Sequence, residues 1–393
     1  MISKKMQSMV ENGSVIRAMF EEGKNLAKIY GADNVYDYSL GNPCTPPPES
    51  VRQEACNILM NEPEMLVHGY MSNSGYEDVR ASVAESLNRR FGTDFGAGNL
   101  IMTVGAAGGL NVALKTILEP GDEVLVFAPY FVEYNNYISN FLGVPAVVPP
   151  GEDLALNVAG AEKVITAKTK AVILNSPNNP TGAVYTEAEI KALADLLETK
   201  SAEYGHTIYL LSDEPYREIV FDGAKVPYLT KYYRNTMVGY SYSKSLSLPG
   251  ERIGYLVIPS EVDDFEMTVS AAAVANRILG FVNAPSLFQR VIGRIPDQTS
   301  DLSIYTKNRE LLCKELGRMG YRFTAPRGAF YMFPESLEPD DVKFCAKAKE
   351  YRLLLVPGSS FRGPGHFRLA FCVSHEMIER SLDSFEKLAA YYR

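Results

Sequence analysis

Short apolar segments alternate with amphipathic ones through the middle of the chain. The apolar segments have the length of buried strands, and the amphipathic ones repeat apolar positions at helical spacing. The predicted strands are residues 100–104, 123–127, 171–175, 206–211, 236–240 and 253–258. The predicted helices between them are 107–118, 131–141 and one that runs through 197 from the capping box Thr186-x-x-Glu189. This alternation predicts an α/β fold, in which a mostly parallel sheet carries helices on both faces.

The N-terminal part of the chain lacks this alternation. Residues 14–30 form a predicted amphipathic helix, whose apolar face comprises Ile16, Met19, Phe20 and Leu26. Further helices are predicted at 49–61 and 75–90. Three consecutive prolines at 46–48 fit neither a regular helix nor a central strand, so they indicate a domain boundary.

After residue 288 the pattern changes again, to a mixture of helices and short strands. The predicted helices are 302–319, 340–351 and 374–392, and the predicted strands are 321–324, 329–333, 353–356 and 367–373. We expect a smaller α+β domain here, completed by the N-terminal arm. The predicted domains are a large one of residues 45–287 and a small one of residues 1–44 together with 288–393.

Composition narrows the class of protein. A hydrophobic fraction of 46% and a charged fraction of 22% are typical of a globular protein, and the net charge of −8 without a basic stripe argues against a nucleic-acid partner. No apolar run has membrane-spanning length, and no apolar signal core follows the N-terminus, so the default expectation is a cytoplasmic protein. The cysteines and histidines are scattered, which predicts neither a disulfide framework nor a metal site.

Residues whose side chains could take part in catalysis or ligand binding follow several of the predicted strands. Ligands of parallel sheets bind beyond the carboxyl ends of the strands, where Gly105, Tyr130, Asn179, Asp213 and Lys244 fall. Lys244 lies among serines, with an arginine eight residues later, and an amine beside anion-binding groups suits condensation with a carbonyl. Taken alone, the segment 241–252 is equally well interpreted as a serine-rich surface turn.

Three segments, in this order, resemble the class I/II aminotransferases, the fold-type-I enzymes that use pyridoxal phosphate. They are Ser-Pro-Asn-Asn-Pro-Thr-Gly at 176–182, Ser-Asp-Glu-Pro-Tyr at 212–216 and Ser-Tyr-Ser-Lys-Ser-Leu-Ser-Leu-Pro-Gly-Glu-Arg at 241–252. The resemblance covers nearly the whole chain. It implies that an amino group moves from an L-amino acid to the cofactor and then to a 2-oxo acid, in a ping-pong cycle.

The resemblance also implies roles around the cofactor ring. Lys244 would bond covalently to the aldehyde carbon and, once displaced, act as general base at the substrate Cα. Asp213 would pair with the pyridinium nitrogen, whereas its neighbour Glu214 would point the other way along the extended chain. Tyr216 and Asn179 would donate hydrogen bonds to the phenolic oxygen and so lower the pKa of the bound chromophore.

The phosphate end is assigned in the same way. The Gly-rich turn at 105–109 is not Gly-x-Gly-x-x-Gly, which argues against a dinucleotide site. The expected phosphate ligands are the amides of Ala106 and Ala107, the hydroxyls of Ser241 and Ser243, and Arg252. Many family members carry a polar side chain where Ala107 stands. Phosphate binding in this chain is therefore expected to depend more on Arg252. Phe131 matches the ring that stacks on the cofactor, with Tyr130 as the alternative.

The remaining implied residues concern the substrate and a second subunit. Arg368 matches the arginine that binds the substrate α-carboxylate, and Gly41 and Asn42, with Asn179, match the loops that line the substrate side. Tyr70 matches a tyrosine that reaches the phosphate of the neighbouring subunit, which implies a homodimer with shared sites. Arg17 and Arg277 are both candidates for a distal carboxylate.

Two other functions share this constellation of residues. C–S lyases differ from aminotransferases in what leaves after Cα deprotonation, which the motifs cannot show. Regulators that bind the cofactor fuse the fold to a DNA-binding domain, and the roughly 44 residues before the large domain are too few for one.

Overall fold

The computed structural model describes residues 2–11, 13 and 15–393, without the side chains at 15–18 and 20. Its helices are α1 Lys4–Glu11, α2 Val15–Tyr30, α3 Glu49–Asn61, α4 Glu64–His68, α5 Glu77–Phe91, α6 Gly105–Ile117, α7 Glu133–Asn140, α8 Val158–Val164, α9 Glu187–Tyr204, α10 Tyr242–Ser245, α11 Phe265–Ile278, α12 Ser286–Arg294, α13 Ser303–Met319, α14 Asp341–Glu350 and α15 His375–Tyr391. Its strands are β1 Tyr36–Asp37, β2 Leu100–Thr103, β3 Glu123–Phe127, β4 Val144–Val148, β5 Thr169–Asn175, β6 Tyr209–Asp213, β7 Thr236–Ser241, β8 Gly254–Val257, β9 Tyr331–Met332, β10 Leu353–Leu354, β11 Val356–Pro357 and β12 Phe367–Ala370.

The large sheet has the mostly parallel topology that the sequence predicts. Its seven strands in the described chain follow the order β2-β8-β7-β6-β5-β3-β4, and β8 alone runs in the direction opposite to the other six. The edge strand β4 was missed by the sequence analysis because Pro145 interrupts its apolar run. An edge strand tolerates that proline, since one side of it carries no ladder hydrogen bonds.

Alternate residues of the strands pack on opposite faces of this sheet. Val124 and Val126 belong to an apolar cluster with α6, whereas Leu125 and Phe127 belong to a cluster with α9. Both faces are therefore covered by helices, which confirms the α/β class and explains why the central strands are almost wholly apolar.

The N-terminal arm packs with the C-terminal part of the chain. Strand β1 pairs in parallel with β10, and Met19, Tyr36 and Tyr38 share an apolar cluster with residues of α13, α14 and α15. The Tyr38 hydroxyl lies 2.6 Å from Ser381 Oγ. Helix α12 packs instead with α3 and α5, so the apolar cluster of the large sheet extends past residue 287. The division at 45 and 288 stays a prediction.

Several local predictions for the C-terminal part differ from the structure. The strand expected at 321–324 is wrong, because this segment has no ladder partner and is anchored instead by the Tyr321 hydroxyl, which donates to the Phe385 carbonyl at 3.1 Å. The segment 353–356 divides between β10 and β11, which pair with different strands.

In the described residues, no helix is both long enough and apolar enough to cross a membrane.

Candidate active site

A cavity of about 290 Å³ lies at the carboxyl ends of β5, β6 and β7, between the large sheet and the C-terminal part of the chain. Its wall includes nearly all the site residues expected from the sequence. These are Gly41, Ala106, Ala107, Phe131, Asn179, Asp213, Tyr216, Ser241, Ser243, Lys244, Arg252 and Arg368. The sheet brings them together because adjacent parallel strands end at one edge.

Asn175, the last residue of β5, ties two of these elements together. Its side-chain amide donates to the Asp213 carbonyl at 2.8 Å, and its side-chain oxygen accepts the Asn179 amide at 2.7 Å. The turn that carries Asn179 is thereby held against the end of β6. Asn175 was not among the expected site residues, although its position at a strand end was a usable signal.

Lys244 has the properties of a nucleophilic amine. It is carried by the short helix α10, directly after β7, and its Nζ donates to the Gly41 carbonyl at 2.7 Å. Burial lowers the pKa of this amine to about 8, and the positive charges of Arg252 and Arg368 act in the same direction. A larger share of the amine is therefore neutral near neutral pH than in a free lysine, as nucleophilic attack requires.

Asp213 is a buried carboxylate with one oxygen unpaired. The Tyr134 hydroxyl donates to Oδ2 at 2.5 Å, whereas Oδ1 has no hydrogen-bond partner within the described chain. Burial raises the pKa of Asp213 to about 7, although the Tyr134 hydrogen bond opposes that shift. A buried, unpaired oxygen is costly, so the site suits a bound group that brings a proton or positive charge.

Glu214 does not compete for this role. Its carboxylate accepts hydrogen bonds from Arg217 and, at 2.8 Å, from Ser212. It does not line the cavity. The choice of Asp213 over Glu214 thus agrees with their placement.

A second group of residues in the cavity wall is suited to hold an anion. Helix α6 starts at Gly105, and its first amides, at Ala106 and Ala107, lie beside Ser241, Ser243 and Arg252. Gly105 has φ +78°, and a Cβ there would lie 2.9 Å from Arg252 Nη2, so only glycine fits without displacing the guanidinium. A helix N-terminus beside an arginine is a favourable site for a phosphate.

Arg368 is a fully buried guanidinium on β12. It donates through Nη1 to Asn179 Oδ1 at 3.0 Å and through Nη2 to the Ser39 carbonyl, while Nε lacks a partner among the described residues. Its guanidinium carbon lies 4.7 Å from the ring centres of both Tyr331 and Phe361. Burial lowers the pKa of Arg368, but a guanidinium stays protonated in proteins, so Arg368 is a cation that suits a carboxylate.

Some expected residues lie outside this cavity. Asn42 is exposed next to Gly41, and Tyr70 is 94% exposed in a separate depression beside Phe281. Arg277 is exposed on α11, and the Arg17 side chain falls outside the described residues. Tyr130 is buried and donates to Asn135 at 2.9 Å, so Phe131, not Tyr130, reaches the cavity.

Several residues of the cavity wall were not expected from the sequence. Those with polar side chains are Asn175, Tyr134, Tyr137 and Tyr331. Tyr134 stands three positions after Phe131, a spacing that on a helix brings side chains to one face and could have revealed it. Tyr331 has no such local signal, because its neighbours in the site are distant in sequence.

Comparison with known proteins agrees with this geometry. A profile of the family described as Aminotransferase class I and II matches residues 33–385. The chain belongs to the class I and II aminotransferases. Members of this family use pyridoxal phosphate and act on amino acids and keto acids.

Individual relatives match over nearly the whole chain. The aspartate aminotransferase of Thermotoga maritima is 29% identical, covering 95% of this chain and 96% of its own, and the aromatic-amino-acid aminotransferase 2 of Thermococcus litoralis is 31% identical, covering 96% of each. A solved amino transferase from Eubacterium rectale superposes with a TM-score of 0.97 at 45% identity and full coverage of both chains. The aspartate aminotransferase of Thermus thermophilus with maleate gives 0.85 at 27% identity, covering 99% of each.

The residues of the cavity fit the family's cofactor. The unpaired Asp213 oxygen suits a protonated ring nitrogen, and the start of α6 with Arg252 suits a phosphate. The amine of Lys244 lies within the same cavity. This protein is therefore a pyridoxal-phosphate-dependent aminotransferase, and the alternative of a C–S lyase is not favoured.

Proposed function

We propose that the cavity is the transamination site and that its residues act as follows. Lys244 takes the proton from the substrate Cα and returns it later, while Arg368 binds the α-carboxylate. Asp213 keeps the ring nitrogen protonated, and Tyr216 and Asn179 donate to the phenolic oxygen. Bound pyridoxal phosphate supplies the electron sink for the charge left at Cα.

One observation carries this assignment. A single cavity presents an amine with a pKa of about 8, a carboxylate with a free oxygen and a buried guanidinium with a free N–H. Each of these groups is costly to bury alone. The cofactor would supply the partners of Lys244 and Asp213, and the amino acid carboxylate would supply the partner of Arg368. The remaining cation, Arg252, belongs with Ser241, Ser243, Ala106 and Ala107 at the phosphate, and Phe131 stacks on the ring.

The identity of the amino acid that donates the amino group depends on the other charges near the cavity. The relatives are named for aspartate or for aromatic amino acids. In the described part of the cavity the cations are Lys244, Arg252 and Arg368, and each already has a role. A substrate with a second carboxylate would need another cation, for which Arg17 and Arg277 are the candidates. Of the two loop residues expected on the substrate side, Gly41 lines the cavity and Asn42 is exposed beside it.

We further propose a homodimer with shared sites, located in the cytoplasm. A tyrosine that is 94% exposed, such as Tyr70, is poorly placed for a role in its own chain, and other apolar side chains close to it in sequence, such as Met65, are exposed as well. All five cysteines are free thiols, as expected in a reducing compartment.

The test is a product assay on the purified protein with pyridoxal phosphate. Incubation with an amino acid and 2-oxoglutarate should yield glutamate, whereas pyruvate with ammonia would indicate a lyase. The protein should be yellow, and its absorbance should shift when the amino acid is added. Lys244→Ala should lose turnover but still hold the cofactor noncovalently, and full turnover in this variant would refute the role of Lys244.

A further inference from the structure

Tyr331 contacts both the substrate side and the cofactor side of the cavity. It lies on β9 in the small antiparallel sheet, whose strands follow the order β11-β12-β9, and is 2% exposed. Its hydroxyl lies 2.9 Å from the Tyr216 hydroxyl, and its ring centre lies 4.7 Å from the Arg368 guanidinium carbon. No role has been assigned to it above.

Either hydroxyl could donate in this pair, and the role proposed for Tyr216 fixes the direction of the hydrogen bond. Each phenol carries one proton, so Tyr216 can donate into the cavity only if it accepts a hydrogen bond from Tyr331. Tyr216 is the only hydrogen-bond partner of the Tyr331 hydroxyl within the described chain. A donated hydrogen bond polarises the phenol that receives it and makes that phenol a stronger donor.

Tyr331 is also held firmly in place. Its hydroxyl is so close to Gly41 that a Cβ at that position would lie 2.0 Å from the oxygen. The carbonyl of the same glycine accepts the Lys244 ammonium at 2.7 Å. The ring packs edge-on against Tyr216, with centres 5.6 Å apart. These contacts place the Tyr331 hydroxyl against both Gly41 and Tyr216.

We propose that Tyr331 is a positioning residue with two functions. Its hydroxyl donates to Tyr216 and directs the Tyr216 proton into the cavity, and its ring supports the guanidinium that binds the substrate carboxylate. The inference rests on the proposed roles of Tyr216 and Arg368. It adds a residue of the small sheet that couples them.

The hydroxyl function is tested by a double-mutant cycle on the holoenzyme. The readout is the pKa of the bound cofactor's absorbance, from spectra recorded across pH, in wild type, Tyr216→Phe, Tyr331→Phe and the double variant. Loss of the Tyr216 donor should raise this pKa, because the phenolic anion loses a hydrogen bond. Tyr331→Phe should raise it by roughly 10–30% as much, the strengthening expected along a hydrogen-bond chain.

The effect of Tyr331→Phe should depend on whether Tyr216 is present. In Tyr216→Phe protein, the additional Tyr331→Phe change should leave the pKa of the absorbance where it was, because its effect passes through Tyr216. An equal shift in both backgrounds, or none in the wild-type background, would overturn the hydroxyl function alone. If Tyr216→Phe itself has no effect, the proposed role of Tyr216 fails too.

Other groups near Tyr216 are left unchanged by this design. Arg368 on β12, Asp213 on β6 and Tyr134 on α7 are the charged or titratable groups that act on it besides Tyr331, and Lys244 lines the same cavity. Tyr331→Phe retains the ring and alters none of these four side chains. Thermal unfolding of each variant distinguishes a general loss of stability from the specific spectral shift.

The ring function is tested with a 2-methyl amino acid, which binds but has no Cα proton to lose. Tyr331→Phe keeps a ring beneath Arg368 and should bind this ligand about as well as wild type. Tyr331→Leu removes the ring and should weaken binding by roughly ten- to thirtyfold, as expected for a desolvated cation–π contact. Equal affinities in the two variants would overturn the ring function.

Discussion

At the scale of single residues, Asp213 lies in a position that is costly for the cofactor-free protein. Its carboxyl is buried with Oδ1 unpaired, and burial raises its pKa to about 7. The pKa of this carboxyl is higher in the folded state than its value of 3.8 in the unfolded state. At pH values between the two, the folded state therefore binds more protons than the unfolded state. Its contribution to stability is therefore fully present below pH 4 and is lost as the pH rises through about 7.

This pH dependence of stability leads to a prediction for Asp213→Asn. The amide stays neutral at every pH, so the cofactor-free variant should become progressively more stable than wild type between pH 4 and 8, by about 2–4 kcal/mol at the upper end. Urea unfolding of both cofactor-free proteins at several pH values measures the difference. A difference that does not change with pH would contradict the raised pKa, while turnover of the variant should be lost.

Arg368 allows a second prediction at this scale. The buried guanidinium pairs with the substrate α-carboxylate in the proposed role. Its removal should leave the carboxylate unpaired, at a cost of about 2–5 kcal/mol in substrate binding. We expect Arg368→Leu to weaken the binding of amino acids and 2-oxo acids, measured by spectral titration. Simple amines serve as the internal control, since they have no carboxylate. An equal loss for amines and amino acids would argue against the role.

At the scale of elements, the segment before α3 depends on a close approach between two backbones. Gly41 lies against the Tyr331 hydroxyl of β9, and its carbonyl accepts Lys244 Nζ. A methyl group at 41 would overlap Tyr331, so the segment must shift and carry its carbonyl away from the amine. The N-terminal arm therefore contributes directly to the environment of Lys244.

Gly41→Ala should accordingly reduce kcat at least about tenfold, because misplacement of groups near the reacting atoms is costly. Gly317→Ala is the matched control, since no atom lies within 4 Å of a Cβ added there on α13. That control should keep full activity and gain about 0.5–1 kcal/mol in the free energy of unfolding, as for glycine in a helix. Steady-state kinetics and urea unfolding check both variants, and full activity in Gly41→Ala would refute the coupling.

At the scale of the whole molecule, the exposed Tyr70 predicts that two chains share their sites. It lies outside the cavity of its own chain, beside Phe281. If it serves a neighbouring subunit, Tyr70→Ala and Lys244→Ala should complement each other when they are unfolded and refolded together. One site of a mixed dimer then carries both lesions and the other carries neither, so random assembly restores up to about a quarter of wild-type sites.

The complementation has clear requirements. Tyr70→Ala alone must be impaired at limiting cofactor, and refolding of each variant by itself is the control for recovery unrelated to mixing. Recovery of activity only in the mixture would establish shared sites. No recovery, with both variants refolded and impaired, would show that Tyr70 serves its own subunit or none.

The location of part of the site could be predicted from strand ends alone, whereas the roles of its residues came from the family resemblance. Asp213 ends β6 and Lys244 follows β7, and parallel neighbours bring such ends together without further information. The capping box also formed as predicted, with Thr186 N donating to Glu189 Oε2 at 2.7 Å, because it needs only residues three positions apart. Spacing along the chain is enough wherever an interaction is local or follows from strand order.

Other features depend on packing between distant segments and could not be predicted in this way. Tyr331 meets Tyr216 across 115 positions, and Tyr38 meets Ser381 across 343. Tyr134 reaches Asp213 only because α7 packs at that end of the sheet, and the segment 321–324 loses its expected strand because no neighbouring strand pairs with it. Periodicity predicts which face of an element is apolar, but which partner covers that face, and which polar group then stays unpaired, is decided by tertiary packing.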